Sequence, residues 1–116
     1  MADLNIRDNR PRGRFEAYED GQAVGYLDYF LLAATPQAPA VPATLVLLHT
    51  EVGAAYEGKG VAGTLVREFY AMAGREGAYV VPLCPYAARW AHRHPEAAPE
   101  APAETVEAAK AQARSE

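Results

Sequence analysis

Residues 53–60 mark a change of hydrophobic period that constrains this chain more than any other feature. Before it, Thr44-Leu45-Val46-Leu47-Leu48-His49-Thr50-Glu51-Val52 reads as a strand, apolar first and more polar towards its end. After it, Val61, Leu65, Phe69 and Met72 follow the spacing of one continuous helical face. Gly53, Gly58 and Gly60 punctuate the change, and Gly77 supplies a helix stop. Ala78-Tyr79-Val80-Val81-Pro82-Leu83-Cys84 then reads as another strand, with Pro82 marking an edge or splayed segment. Strand, glycine loop, helix and strand make a βαβ unit, so residues 44–52 and 78–84 are expected to run parallel.

The residues upstream predict a meander. Arg14-Phe15-Glu16-Ala17-Tyr18 alternates polar and apolar, Asp20-Gly21 is a hairpin signal, and Ala23 to Leu32 reads as a long second strand with a bulge at Gly25. Three prolines within residues 35–42 exclude that stretch from a sheet, because proline has no amide donor. The expected fold class is therefore α+β: a mixed sheet in which an antiparallel meander is followed by a β-α-β unit. Pro85 opens a short helix that Pro95 ends. Residues 1–13 read as a flexible lead-in, 14–95 as one domain, and 96–116 as an Ala/Pro/Glu-rich disordered tail. Within that tail, Glu104 to Arg114 is compatible with a transient helix.

Composition narrows the function classes. The net charge is −4, but the last 21 residues hold five Glu against Lys110 and Arg114, which leaves −1 for residues 1–95. Such a body lacks the basic patch that nucleic-acid binding requires. No apolar run approaches the roughly 18 residues that span a bilayer, and the charged N-terminus lacks the apolar core of a signal peptide. A single cysteine, Cys84, cannot form an internal disulfide and fits a reducing compartment. The chain is expected to be soluble and cytoplasmic.

The turn Glu57-Gly58-Lys59-Gly60-Val61-Ala62 lies where a helix begins. Unpaired first-turn amides and the helix dipole suit a pyrophosphate there, with Lys59 assisting; a connector that lets the helix pack tightly is the competing account. No Lys-Ser/Thr pair completes a Walker loop. The letters of a dinucleotide fingerprint at Gly58–Gly63 follow a meander and have no acidic strand end downstream.

The ordered blocks His49-Thr50-Glu51-Val52, Tyr56 to Ala62, Val81 to Tyr86 and Arg93-His94-Pro95 resemble a compact branch of the GCN5-related N-acetyltransferase (GNAT) superfamily, the group that includes the animal N-acetyltransferase domain-containing proteins. The resemblance covers roughly residues 14–96. The superfamily turn reads Gln/Arg-x-x-Gly-x-Gly/Ala; Gly60 and Ala62 match it, and Glu57 replaces the usual donor. The resemblance implies a sheet splayed between the strands at 44–52 and 78–84. Coenzyme A (CoA) or acetyl-CoA would lie in that split, its pantetheine arm near Glu51 and Val52 and its pyrophosphate on the amides of Gly58, Lys59, Gly60, Val61 and Ala62. It implies acetyl transfer to an amine. Neither the acceptor nor the oligomeric state can be read from the sequence. The rivals are a non-catalytic CoA-binding or protein-interaction module on the same fold, and a site for another phosphorylated ligand.

Four residues are candidates for the chemistry. His49 and Glu51 are two apart on a strand and share a face, so each is a general base or a polar strand-end residue. Cys84 ends a strand before a helix; it is either a nucleophile or a small apolar filler, and the resembling group shares a cysteine there. The resemblance places Tyr86 where superfamily members protonate the departing thiolate; a packing ring is the alternative. Arg89 and Arg93, spaced i, i+4, would contact the nucleotide end of CoA or line a solvated face. His92 and His94 are not at converging positions on a helix, so no metal site is expected.

Overall fold

A computed structural model describes residues 4–36 and 38–115. The first three residues of the expected lead-in, Gln37 of the proline loop and Glu116 of the tail lie outside the described residues. The strands are β1 (Asn5–Asn9), β2 (Arg14–Glu19), β3 (Gln22–Leu31), β4 (Thr44–Val52) and β5 (Tyr79–Pro82). The helices are α1 (Val61–Arg75), α2 (Pro85–Arg93) and α3 (Ala103–Ala113). The strands form one sheet in the order β1-β2-β3-β4-β5. Pairing is antiparallel from β1 to β4 and parallel between β4 and β5. This is the mixed α+β sheet expected from the period change.

Local chemistry accounts for the turns. Asp20 and Gly21 both have positive φ, 51° and 81°, as a two-residue hairpin between right-twisted strands requires. α1 carries Val61, Leu65, Val66, Phe69 and Met72 onto one face of the sheet, against Phe15, Ala17, Leu27 and Tyr29. Phe69 meets the edges of Phe15 and Tyr29, with ring centroids 5.4 and 5.0 Å apart. α2 joins the same layer through Ala87 and Trp90.

Two expectations are corrected. Residues 5–9 are not a free lead-in: they form β1, whose Ile6 packs on the core and whose Arg7 lies 4.7 Å from the centre of the Tyr18 ring. A three-residue 3₁₀ turn, Arg10–Arg12, follows. Arg10 then ties this edge to the end of α1, donating to Glu76 at 2.9 Å, to Tyr29 Oη at 3.2 Å and to Asp8 at 3.1 Å. The tail is likewise ordered in part. α3 crosses the sheet face opposite α1, burying Thr105 and Ala109 and packing on Val46 and Val81. Gln112 pins it by accepting from Ala33 N and donating to Ala33 O. Small side chains suffice because α3 lies close to the sheet, which hides it from any reading based on bulky apolar residues.

The bulge expected at Gly25 falls one residue earlier, since Ala17 pairs with Gly25 and Tyr18 with Ala23. Gly25 itself serves close approach: a Cβ there would stand 3.0 Å from Glu51 O and 3.1 Å from Val61 Cγ1. A second bulge is decisive for the site. Asp28 pairs with His49 but Tyr29 with Leu47, so Leu48 is an extra residue in β4.

Candidate active site

β4 outruns β5. Their pairing ends at Leu47↔Pro82, and the amides of both Leu83 and Cys84 close on Leu47 O at 2.9 and 3.1 Å. Beyond that point β5 turns into α2, and residues 48–52 of β4 have no neighbour on that side. Gly53 N donates to Val24 O at 2.9 Å, so by alternation the backbone groups of Glu51 and His49 also face β3. The contact of Gly25 with Glu51 O places that carbonyl on the same side. Thr50 and Val52 therefore carry their N–H and C=O groups towards the open edge. Of the two residues named for that pairing, Val52 has this orientation and Glu51 faces β3, while Thr50 also faces the open edge.

Facing this edge is the start of α1. Gly58 and Gly60 have φ of 79° and 83°, left-handed values that bring the loop sharply into the helix. The first intrahelical bond runs from Thr64 N to Gly60 O at 3.0 Å, which leaves the amides of Val61, Ala62 and Gly63 without helical partners. Two amides of the turn are already engaged: Glu57 N with Ala54 O at 3.4 Å and Lys59 N with Tyr56 O at 3.3 Å. The Lys59 amide is thus not free in the way expected, and its ammonium lies 5.6 Å from the centre of the Tyr56 ring. Between β4 and this turn is a cleft of about 660 Å³, lined among others by Thr50, Val52, Glu57, Gly60, Ala62 and Tyr86.

The candidate side chains divide by position. His49 and Glu51 project from the sheet face opposite α1, His49 Nε2 3.6 Å from Glu51 Oε2, both at least half exposed; Glu51 also reaches the cleft rim. Tyr86 comes from the first turn of α2, and a Cβ on Gly63 would lie 3.5 Å from its Oη and 3.6 Å from Trp90 Nε1. Cys84 precedes α2, is buried at 4% exposure, and does not line the cleft. Its thiol donates to Thr50 Oγ1 at 3.6 Å. Thr50 was not singled out in the sequence; the signal available was its place in a strand end flanked by His49 and Glu51.

Arg89 and Arg93 are exposed on α2, and neither lines the cleft. Trp90 of that segment turns inward instead, and His94 in part. Trp90 stacks between Tyr70 and His94, with centroids 6.0 and 4.2 Å away, and Arg67 of α1 lies 5.1 Å from its ring. Burial pushes the Tyr70 phenol up to about 12. Among the described residues, no three His, Cys, Asp or Glu side chains gather as a metal site, and no helix is long and apolar enough to cross a membrane.

Solved structures share this architecture. A ribosomal-protein-alanine N-acetyltransferase from Brucella melitensis biovar Abortus 2308 aligns with a TM-score of 0.54 at 21% identity, over 77% of this chain and 62% of that one. The aminoglycoside acetyltransferase meta-AAC0020, from an uncultured soil metagenomic sample, aligns in its trehalose complex with a TM-score of 0.55 at 14% identity, over 88% and 74% of the two chains. Its sisomicin complex gives 0.54 at 15% identity, over 77% and 60%. The chain thus spans about three-fifths of the Brucella protein's length, and at these identities the likeness is one of fold. No curated protein matches the sequence. A family profile described as GCN5-related N-acetyl-transferase matches residues 14–99, the stretch that carries β2 to β5, α1, the glycine turn and α2. The chain belongs to the GCN5-related N-acetyl-transferase family.

Proposed function

We propose that this chain binds acetyl-CoA in the cleft between β4 and α1 and transfers the acetyl group to an amine. One observation carries the reading: an unpaired β4 edge at Thr50 and Val52 faces unpaired helix-start amides across a single cleft. The edge suits an amide-bearing chain such as pantetheine, which pairs as a strand would. The amides of Val61, Ala62 and Gly63, with Lys59 beside them, suit a pyrophosphate. Glu57, beside the turn, is an unfavourable charge for a pyrophosphate.

The transfer needs three proton and charge movements. The amine nitrogen loses a proton, its bond to the carbonyl carbon forms, and the carbon–sulfur bond breaks to leave a thiolate. Glu51 stands at the rim to take the proton, with His49 3.6 Å away as its partner. Tyr86 lines the cleft and returns a proton to the thiolate. Direct attack is favoured over an acylated Cys84, because Cys84 is buried behind Thr50. The free cysteine accords with a reducing, cytoplasmic setting.

Calorimetry with acetyl-CoA and CoA tests the first half of the reading; both are expected to bind below millimolar concentration, and binding by neither counts against it. Glu51→Gln is expected to keep that binding and to lose at least ten-fold in transfer to an amine. Binding without turnover across a panel of amines would select the rival reading, a non-catalytic CoA-binding module.

A further inference from the structure

We propose that the Thr50 hydroxyl is the hydrogen-bond donor to the acyl carbonyl in this cleft, and that the Cys84 thiol is its positioning partner. The inference rests on the acetyl-CoA reading above and adds a residue to it. Thr50 is the nearer to the strand junction of the two residues, Thr50 and Val52, whose backbone groups face the open edge, and its side chain lies on the α1 side of the sheet, against Cys84. The two residues differ in access. Thr50 lines the cleft, whereas Cys84 is sealed beneath it. The polar group that meets a ligand at this depth is therefore the hydroxyl rather than the sulfur.

The direction of the bond between them matters. Sulfur and oxygen lie 3.6 Å apart, and with the carbonyl of the ligand as its acceptor the hydroxyl takes the bond from the thiol rather than giving one. One lone pair of the hydroxyl is then engaged by the thiol, and its own hydrogen turns to the ligand. When an amine adds to a thioester carbonyl, the carbonyl π electrons move to oxygen. A donor aimed at that oxygen lowers the barrier without moving a proton. Cys84 forms no bond to carbon in this scheme; it fixes the Thr50 rotamer from behind. The thiol supplies what a methyl in its place cannot, a donor that selects one orientation of the hydroxyl.

The test uses the full chain loaded with acetyl-CoA labelled with ¹³C at the carbonyl. A hydrogen bond from Thr50 moves the bound carbonyl resonance downfield of the free ligand. Thr50→Val, close in shape, should abolish that shift while keeping acetyl-CoA affinity within about two-fold; Thr50→Ser should restore it. With n-butylamine as acceptor probe, Thr50→Val should lower kcat by about a hundred-fold with little change in KM for acetyl-CoA, the lower end of the range for loss of one oxyanion donor. Cys84→Ala should cost less, and the double variant should be no worse than Thr50→Val alone, because both act through one hydroxyl. An unchanged carbonyl shift in Thr50→Val overturns the inference. So does a Cys84→Ala variant that loses all turnover while Thr50→Val keeps it, which is the behaviour of a nucleophile. If acetyl-CoA does not bind the native chain at all, the functional reading fails first and takes this inference with it.

Discussion

Gly25 is the point at which the helix that follows the glycine turn is seated on the sheet, so a single methyl there reports on the whole arrangement. In Gly25→Ala the added Cβ meets Glu51 O at 3.0 Å, Val61 Cγ1 at 3.1 Å and Leu65 Cδ1 at 3.4 Å. The first of these is a ladder carbonyl between β3 and β4 and cannot retreat; the others are the first two turns of α1. The helix must therefore lift by a few tenths of an ångström. Overpacking of this kind costs about 1–3 kcal/mol, and replacing glycine recovers about 0.4–1 kcal/mol by stiffening the unfolded chain. The net expectation is a loss of about 1 kcal/mol, equivalent to roughly 4–8 °C in Tm for a domain near this size. Gly74 provides the control. It lies in the last turn of α1 with nothing within 4 Å of a built Cβ, so Gly74→Ala should gain about 0.8 kcal/mol from helix propensity alone. Thermal melts and urea midpoints of the two variants should bracket the native chain. A Gly25→Ala protein that melts at or above Gly74→Ala would refute the close-approach argument.

Two further perturbations address regions away from the cleft. Arg10→Met removes the bridge from Glu76, Asp8 and Tyr29; because Arg10 and Glu76 side chains are 37% and 39% exposed, the loss should be about 1 kcal/mol and should shrink in 1 M salt. A salt-independent loss would assign the effect to the contact of the guanidinium Nη2 with Met72 Sδ, 3.9 Å away. The pH dependence at alkaline pH should come from Tyr70 and Tyr29, both raised to about 12, Tyr70 by burial and Tyr29 by burial and then its bond to Asp8. Below pH 10 each phenol is protonated in both states; between pH 10 and 12 the unfolded chain releases its protons first, so stability falls across that window. Tyr70→Phe should flatten the fall in urea midpoints measured at pH 8, 10 and 11, and an unchanged slope would remove Tyr70 as a cause.

The sequence carried the parts of this fold that rest on bulky periodicity. β3, β4, α1 and the parallel return to β5 bury large apolar side chains, and their patterns are strong. β1 was hidden because an edge strand needs only one partly buried apolar residue, here Ile6, and an arginine laid over a tyrosine. α3 was hidden because alanine and threonine fill its seat. At the candidate site, the glycine turn and the shared face of His49 and Glu51 followed from spacing alone. The partition of backbone groups between Thr50 and Glu51 did not, because it depends on a bulge that no residue type announces. Arg89 illustrates the limit of helical spacing, which places residues on a common face without saying where that face looks.

That bulge has a consequence for how such a chain changes over generations. A strand is a two-letter code, and the extra residue at Leu48 shifts its phase for everything that follows. Deleting one codon there would leave β4 long enough to pair with β3. It would also exchange the faces and edges of residues 49–52, sending His49 and Glu51 under α1 and Thr50 out to solvent. The scaffold and its cleft chemistry are therefore separable by a single in-frame event, and a relative that lacks the extra residue would keep the sheet while presenting a different set of groups to the cleft.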